Sequence, residues 1–146
     1  MTEGDTGLGG MGDEAAEISP STTARLLAAA GAAADKKGQD VVVLEVGPIM
    51  AITEAFVIVS GTSARHVRTL VEEVERAVKQ VDGQGPASVE GLGDATWVLL
   101  DFGDFVVHVF DSEKRRFYGL ERLWADARTI PWEDSVERAV EVPQLL

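Results

Sequence analysis

The sequence contains no cysteine and only two histidines. The absence of cysteine excludes disulfide bonds, thiolate metal sites and a cysteine nucleophile, and it is typical of proteins from a reducing cytoplasm. Two histidines without a cysteine also argue against a tight zinc site. We therefore expect a protein that holds no metal and no cofactor.

Long apolar segments are missing as well. No apolar run approaches the roughly 18 residues that a membrane span requires. The first residues, MTEGDTGLGGMGDEAAE, contain neither the basic region nor the apolar stretch of a signal peptide. We expect a cytoplasmic protein that does not interact with a membrane.

Basic residues are few, 13 against 25 acidic ones, which gives a net charge of −12. Residues 1–20 contain five acids and no base, and residues 129–146 contain four acids and one arginine. This pattern predicts acidic, disordered tails at 1–20 and 129–146 around a single domain at 21–128. The domain itself carries −4, so binding driven by nucleic-acid phosphates is disfavoured and a protein partner is favoured.

The first half of the domain alternates helical and extended patterns. Residues 21–37 are rich in Ala and Leu, and residues 64–81 place apolar side chains three and four apart, so both segments predict helices. Residues 41–46 and 55–59 are almost continuously apolar and predict strands covered on both faces. This order indicates an α/β fold.

The clearest local signal is a β-hairpin, because the apolar segments 96–102 and 105–110 are separated only by Gly103-Asp104. The two-residue loop sets the register, in which Trp97 faces Phe110 and Leu99 faces His108. One side of the hairpin is purely apolar and belongs to the core. The other mixes large apolar groups with an acid and an imidazole: Trp97, Leu99, Asp101, Val106, His108 and Phe110.

The connecting segments are less regular. Residues 82–93 contain four glycines and a proline and predict a loop with a short edge strand at 87–90. Residues 111–116 predict a short helix, and residues 117–124 predict a helix or turn that packs aromatic surface along the sheet edge. The pair Arg115-Arg116 has two readings, a phosphate contact or a solvated charged surface.

Enzymatic activity finds little support. Residues 60–63, Ser-Gly-Thr-Ser, lack the lysine of a P-loop and the spaced glycines of a dinucleotide site, so a capped helix start is favoured. Asp101 and Asp104 straddle the hairpin turn and do not form the magnesium-binding carboxylate pair of a nucleotidyltransferase. A serine triad with His108 lacks the Gly-x-Ser-x-Gly elbow. We expect no catalytic residues.

His108 interrupts an apolar strand and has two readings. It is either a core histidine satisfied by Asp101 or a backbone carbonyl, or a polar member of a binding face. His66 lies in the first turn of a predicted helix, where a surface or capping role is favoured.

Six short segments resemble the ribosomal silencing factors, also called the Iojap-related family, over roughly residues 26–126. The resemblance implies a single α/β domain with a mixed five-stranded sheet and flanking helices, related to the nucleotidyltransferase fold but without its catalytic acids. The segments are 56–63 (FVIVSGTS), 90–91 (EG), 97–104 (WVLLDFGD), 107–110 (VHVF), 116–118 (RFY) and 120–124 (LERLW).

The resemblance also implies a function without catalysis. Such a factor binds large-subunit ribosomal protein fourteen at the subunit interface, blocks joining of the small subunit and represses translation when nutrients are limiting. Leu120 and Trp124 are as consistent with internal packing as with contact. The residues implied in the contact surface or its direct support are Glu90, Trp97, Asp101, His108, Tyr118, Leu120 and Trp124.

One position departs from the family pattern, since Thr53-Glu54-Ala55 stands where the family usually has Thr-Asp-Tyr. Any contact made by that tyrosine in relatives is in doubt for this chain. Two alternative functions also stay open. The chain is a divergent nucleotidyltransferase-like enzyme, or it is an interaction module whose aromatic face closes a homodimer away from the ribosome.

Overall fold

The computed structural model describes residues 18–133, except for the side chains of Phe117 and Leu123. The tails predicted at the two ends fall mainly in residues 1–17 and 134–146, outside the described residues. The described helices are α1 (Pro20–Asp35), α2 (Ala64–Asp82), α3 (Ser112–Tyr118) and α4 (Leu120–Leu123). The described strands are β1 (Gln39–Glu45), β2 (Ala55–Gly61), β3 (Ser88–Glu90), β4 (Trp97–Asp101), β5 (Phe105–Asp111) and β6 (Arg128–Thr129).

The strands form one mixed sheet in the order β3-β4-β5-β2-β1-β6. The central neighbours β2 and β5 are parallel, and the other neighbouring pairs are antiparallel. The predicted single α/β domain with a mixed sheet and flanking helices is confirmed. The sheet has six described strands instead of the expected five, because the two residues of β6 pair with Leu44 and Glu45 of β1.

The predicted hairpin is present with the predicted register. Trp97 pairs with Phe110, and Leu99 pairs with His108. At the turn, the amide of Phe102 donates to the carbonyl of Phe105 over 3.0 Å. Gly103 has φ of +92°, a left-handed conformation that glycine adopts without steric cost. The hairpin therefore presents its two unlike sides to opposite faces of the sheet.

Helices α1 and α2 cover one face of the sheet. Ser19 and Ser63 cap the first turns of these helices with their side-chain oxygens, as short polar residues do at helix starts. The apolar stripe of each helix packs on the inward side of the hairpin and on β2. The buried helix residues in this core include Leu26, Ala29, Ala30, Ala33, Val67, Leu70, Val71, Val74 and Val78.

Packing continues beyond both predicted boundaries of the domain. Ile18 and Ile130 pack against the core. Trp132 is 7% exposed, and its Nε1 donates to the carbonyl of Val41 over 3.2 Å. The folded unit therefore extends to either side of residues 21–128, because isolated apolar residues in the acidic ends are buried.

A buried polar network ties α1 to the hairpin turn. Nη1 of Arg25 lies 2.7 Å from Oδ1 of Asp104, and the Thr22 hydroxyl donates to the other oxygen of that carboxylate over 2.8 Å. Glu54 accepts from the amide of Ser19 over 2.9 Å. Thus Asp104 and the acid of the unusual Thr53-Glu54-Ala55 segment both fix the start of α1, and Ala55 itself is fully buried.

Candidate functional site

The second face of the sheet is only partly covered by the chain. Leu120 and Trp124 pack over its centre, against Phe56 and Phe110. The part nearest the hairpin turn carries no helix among the described residues. We call this region the open face and define it by the side chains that line it: Met50, Ile52, Glu90, Trp97, Leu99, Asp101 and Val106.

An aromatic cluster borders the open face. The ring of Trp97 stacks on Phe110 with centroids 5.0 Å apart and contacts the ring of Tyr118 at 4.8 Å. Phe56 makes edge-to-face contacts with His108 at 4.6 Å and Trp124 at 5.5 Å. Such contacts restrict the rings. The half-buried Trp97 is therefore held in one orientation at the edge of the open face.

His108 lies beneath this cluster and is only 4% exposed. Nε1 of Trp97 lies 3.1 Å from its Nδ1, and because an indole N–H can only donate, Nδ1 is the acceptor and the proton resides on Nε2. In the described part of the chain, Nε2 has no hydrogen-bond partner. Burial lowers the pKa of His108 to about 4, so the imidazole is neutral at pH 7.

His108 is therefore a core histidine, but its partner differs from both partners considered in the sequence. The carboxylate of Asp101 instead accepts a hydrogen bond from the Gly103 amide over 2.8 Å. Asp101 thus helps to fix the hairpin turn while remaining half-buried on the open face. The register places Trp97 and Asp101 equally, each diagonal to His108, so the sequence alone could not decide which of them contacts the imidazole.

An apolar groove of about 400 Å³ crosses the open face. The polar groups of the groove come from Thr53, Asp101 and His108. Its apolar walls come from Met50, Ile52, Phe56, Leu99 and Val106. Ile52 is 80% exposed, so this part of the apolar lining is accessible to a partner. Leu99 and Val106 were predicted on this side of the hairpin, but Met50 and Ile52 lie in an irregular loop that had no periodicity to reveal it.

Glu90 lies at the far edge of the open face. It pairs with Leu99 in the sheet and lines a shallow depression with Trp97. The following residue, Gly91, has φ of +88°, and a Cβ there would collide with the carbonyl oxygen of Trp97. Because Gly91 has no side chain, the backbone can pass close to the carbonyl of Trp97. This close approach places Glu90 beside the indole.

The seven residues named from the sequence all lie on this side of the sheet. Trp97, Asp101 and Trp124 are half-buried, and Glu90 and Tyr118 are exposed. His108 and Leu120 are buried beneath them, at 4% and 6% exposure. The first five have surface available to a partner, whereas His108 and Leu120 support the surface from below.

The open face has the composition of a binding surface. Within residues 18–133 no group of three or more His, Cys, Asp or Glu side chains is placed to hold a metal ion. In the same range, no helix is long and apolar enough to span a membrane. The open face instead combines apolar walls, a fixed indole and two carboxylates, which suits contact with an apolar surface bearing basic groups.

Comparison with known proteins identifies a family model and related proteins that match this chain. A family model described as "Ribosomal silencing factor during starvation" matches residues 19–144. The ribosomal silencing factor of Halalkalibacterium halodurans is 41% identical over 105 residues, which cover 72% of this chain and 89% of that protein. The corresponding factor of Bacillus subtilis is 37% identical over 99 residues, covering 68% and 83%.

A solved structure shows the same relationship in three dimensions. A crystal structure of a Bacillus halodurans protein matches with a TM-score of 0.63 and 38% identity, and the match covers 73% of this chain and 95% of that one. The resemblance found in the short sequence segments is thus confirmed across most of the domain. The chain belongs to the ribosomal silencing factor family.

Proposed function

We propose that this protein acts in the cytoplasm as a ribosomal silencing factor. It binds large-subunit ribosomal protein fourteen at the subunit interface, blocks joining of the small subunit by steric exclusion and represses translation when nutrients are limiting. Family membership supports the general role. The observation that carries the proposal for this chain is the open face, an apolar groove bordered by a fixed indole and two acids.

The chemistry of the open face indicates how the partner is held. Trp97 and Tyr118 are large amphipathic side chains of the kind that contribute most to binding energy in protein interfaces. Glu90 and Asp101 would meet basic groups of the ribosomal protein, which favours correct orientation and fast association. Steric exclusion needs binding alone, so the proposal requires no catalytic group.

Sedimentation of purified large subunits with the protein, followed by addition of small subunits, tests this proposal. We expect co-sedimentation with the large subunit and fewer joined ribosomes. If the protein stays in the supernatant at micromolar concentration, ribosome binding is contradicted. A magnesium-dependent nucleotidyl transfer that is lost in Asp101→Asn would instead support the enzymatic alternative.

A pair of matched variants assigns the binding to the open face. Ile52→Glu introduces a charge into the groove at a residue that is 80% exposed, so the fold is retained. Val81→Glu makes the same change at an apolar residue that is 44% exposed near the end of α2. We expect about tenfold or greater weakening of large-subunit binding for Ile52→Glu and unchanged binding for Val81→Glu. Equal effects would refute this placement of the contact.

The homodimer alternative uses the same side chains and is separated by sedimentation velocity. A dimer that buries the open face excludes the ribosomal protein from it. We expect Ile52→Glu to convert any such dimer to a monomer. If a dimer persists in Ile52→Glu while ribosome binding is lost, the dimer uses another surface.

A further inference from the structure

A polar cleft lies at the carboxyl ends of β2 and β5 and shares no lining residue with the open face. Its volume is about 620 Å³, which is within the range of small-molecule sites in proteins. Three parts of the chain line it: the start of β1, the end of β2 at Ser60, and the helices α3 and α4. The binding role proposed above leaves this cleft unused.

The sheet topology explains why a crevice forms there. Strands β2 and β5 are parallel neighbours. Helix α2, which follows β2, packs on one face of the sheet, whereas Leu120 of α4, after β5, packs on the other face. Where the connections after two neighbouring parallel strands diverge in this way, the strand ends border an open crevice, which is where open α/β sheets bind ligands.

Arg115 forms the floor of the cleft. It is only 7% exposed. Its Nη1 donates to the Ser60 hydroxyl over 2.9 Å and to the carbonyl of Gln39 over 3.2 Å. Its Nε and Nη2 form a paired contact with the carboxylate of Glu121, at 3.2 Å and 2.6 Å. The charge of Arg115 is thus balanced internally, and its hydrogen bonds fix α3 and α4 at the strand ends.

The rim carries arginines of a different kind. Arg116 and Arg122 are exposed and line the cleft. Among the residues that the structure describes, no ion pair involves either of them. The exposed carboxylates of Asp40 and Glu113 line the same cleft, so the rim has no net positive charge. A phosphate would therefore be held by geometry, because guanidinium groups fit phosphate oxygens in paired hydrogen bonds. Arg115 therefore has a structural role, whereas Arg116 is available for a phosphate contact.

Asp40 adds an acceptor to the same rim. It is exposed, lines the cleft and has φ of +51°. The register of β1 with β2 shifts between Gln39 and Val42, so the strand start bulges at this point. Bulges and left-handed non-glycine residues occur preferentially beside functional sites. A carboxylate accepts hydrogen bonds and therefore suits the hydroxyl groups of a ligand.

We propose that this cleft binds a sugar phosphate, with the phosphate held by Arg116 and Arg122 and a sugar hydroxyl donating to Asp40. The described residues that line the cleft include no aromatic or aliphatic side chain, so a nucleobase finds no aromatic ring to stack on there. The recognised chemistry is the phosphorylated sugar, whether free or as the sugar-phosphate portion of a nucleotide. This inference goes beyond the proposed ribosomal function and does not depend on it.

Titration of the isotope-labelled full chain, followed by NMR and by calorimetry, tests the proposal with five probes: ribose 5-phosphate, ribose, inorganic phosphate, adenosine monophosphate and an RNA oligonucleotide. We expect saturable binding of ribose 5-phosphate and no binding of ribose. Adenosine monophosphate should bind with a similar affinity, because its base remains outside. Absence of saturable binding at millimolar concentration for both phosphorylated probes overturns the proposal, as does binding of an RNA oligonucleotide alone.

Three variants separate a built site from general electrostatic attraction. The double variant Arg116→Ala/Arg122→Ala removes both rim cations, and we expect about tenfold or greater weakening of ribose 5-phosphate binding. Arg76→Ala removes an exposed arginine from α2, outside the cleft, and should leave the affinity unchanged. Asp40→Asn retains a residue that tolerates a left-handed conformation and should weaken ribose 5-phosphate but not inorganic phosphate. Equal losses in Arg76→Ala and the double variant overturn the proposal.

Co-sedimentation with large subunits keeps the two proposals distinguishable. The rim arginines lie outside the open face, so the double variant without added ligand should bind large subunits as the unchanged chain does. Ribosome binding with no sugar phosphate binding refutes the cleft alone. Sugar phosphate binding with no ribosome binding refutes the proposed function alone.

Discussion

The hydrogen bond from Trp97 to His108 joins an exposed part of the molecule to a buried one. The indole lies at the edge of the open face, and the imidazole that accepts its N–H is 4% exposed. A buried acceptor that loses its donor costs about 1–3 kcal/mol. The orientation of the indole and the stability of the sheet centre therefore depend on the same bond.

A double-mutant cycle measures how much the Trp97–His108 hydrogen bond contributes to the free energy of unfolding. Trp97→Phe keeps an aromatic ring but leaves Nδ1 of His108 without its donor, and His108→Leu removes the acceptor. We expect Trp97→Phe to lower the free energy of unfolding by about 1–3 kcal/mol in urea. The same change should cost less in the His108→Leu background, with a coupling of about 1 kcal/mol. Additive losses would show that the bond contributes nothing.

The titration of His108 predicts a pH dependence of stability. Its pKa is about 4 in the folded chain, whereas a solvated histidine has a pKa of 6.5, so between these values the unfolded chain binds a proton that the folded chain does not. The free energy of unfolding should therefore fall as pH falls from 6.5 to 4, by roughly 3 kcal/mol in total. Above pH 6.5 the imidazole is neutral in both the folded and the unfolded chain, so this loss of stability is absent.

Comparison with His108→Gln separates this effect from that of the carboxylates. Urea unfolding of both proteins at pH 7 and pH 4.5 gives the difference directly. The unchanged chain should lose more stability on acidification than His108→Gln does. Equal losses in the two proteins would contradict a neutral buried imidazole.

At the scale of elements, the polar network around Arg25 anchors the hairpin turn that borders the open face. Its guanidinium is buried over the rings of Phe102 and Phe105, at 5.7 Å and 5.6 Å, with Asp104 as its closest ion-pair partner. Removing one member of a buried pair leaves the other charge desolvated, and without Asp104 the remaining ion-pair partner of Arg25 among the described residues is Asp82, 3.5 Å from its Nε. The turn is thus held by charge as well as by its glycine.

We expect Asp104→Asn to lower the free energy of unfolding by about 2–4 kcal/mol. Glu73→Gln is a matched acid-to-amide change at a helix-surface pair, because Arg76 in that pair has a side chain 65% exposed. It should cost less than about 0.5 kcal/mol. Chemical denaturation of both variants measures the difference, and similar small losses would argue against a stabilising role for the network.

The elements that the sequence predicted well are those with long, regular patterns. Helices α1 and α2, strands β1 and β2 and the hairpin all have clear periodicity or turn residues. Strand β6 has only two residues and leaves no such pattern, so its pairing with β1 depends on tertiary contacts. Met50 and Ile52 of the groove were missed for the same reason, since they belong to an irregular loop.

At the scale of the whole molecule, the candidate site depends on distant parts of the chain. Glu90 and Trp97 come from neighbouring strands, and Tyr118 contacts Trp97 from α3, after the hairpin. The sequence could place Trp97 and Asp101 on one side because the hairpin register is local. It could not decide which residues are exposed, and the structure buries His108 and Leu120 beneath the others.

The charge of the open face predicts how ribosome binding responds to salt concentration. The described residues that define the open face include no basic side chain, so few phosphate counterions are released on binding. The logarithm of the affinity for large subunits should decrease only shallowly with the logarithm of salt concentration. Proteins with six to ten phosphate contacts lose roughly 1,000-fold or more between 50 and 200 mM salt. A loss of that size would indicate direct contact with ribosomal RNA.

The short strands at both edges of the sheet restrict how any partner can approach. Strand β3 has three residues and β6 has two. Beyond β6, the Ile130 amide donates a hydrogen bond to the carbonyl of Val43, and the Trp132 indole donates one to the carbonyl of Val41. Short and occupied edges resist the addition of a foreign strand. The chain is thereby protected against edge-to-edge aggregation, and recognition is directed to side chains on the face of the sheet.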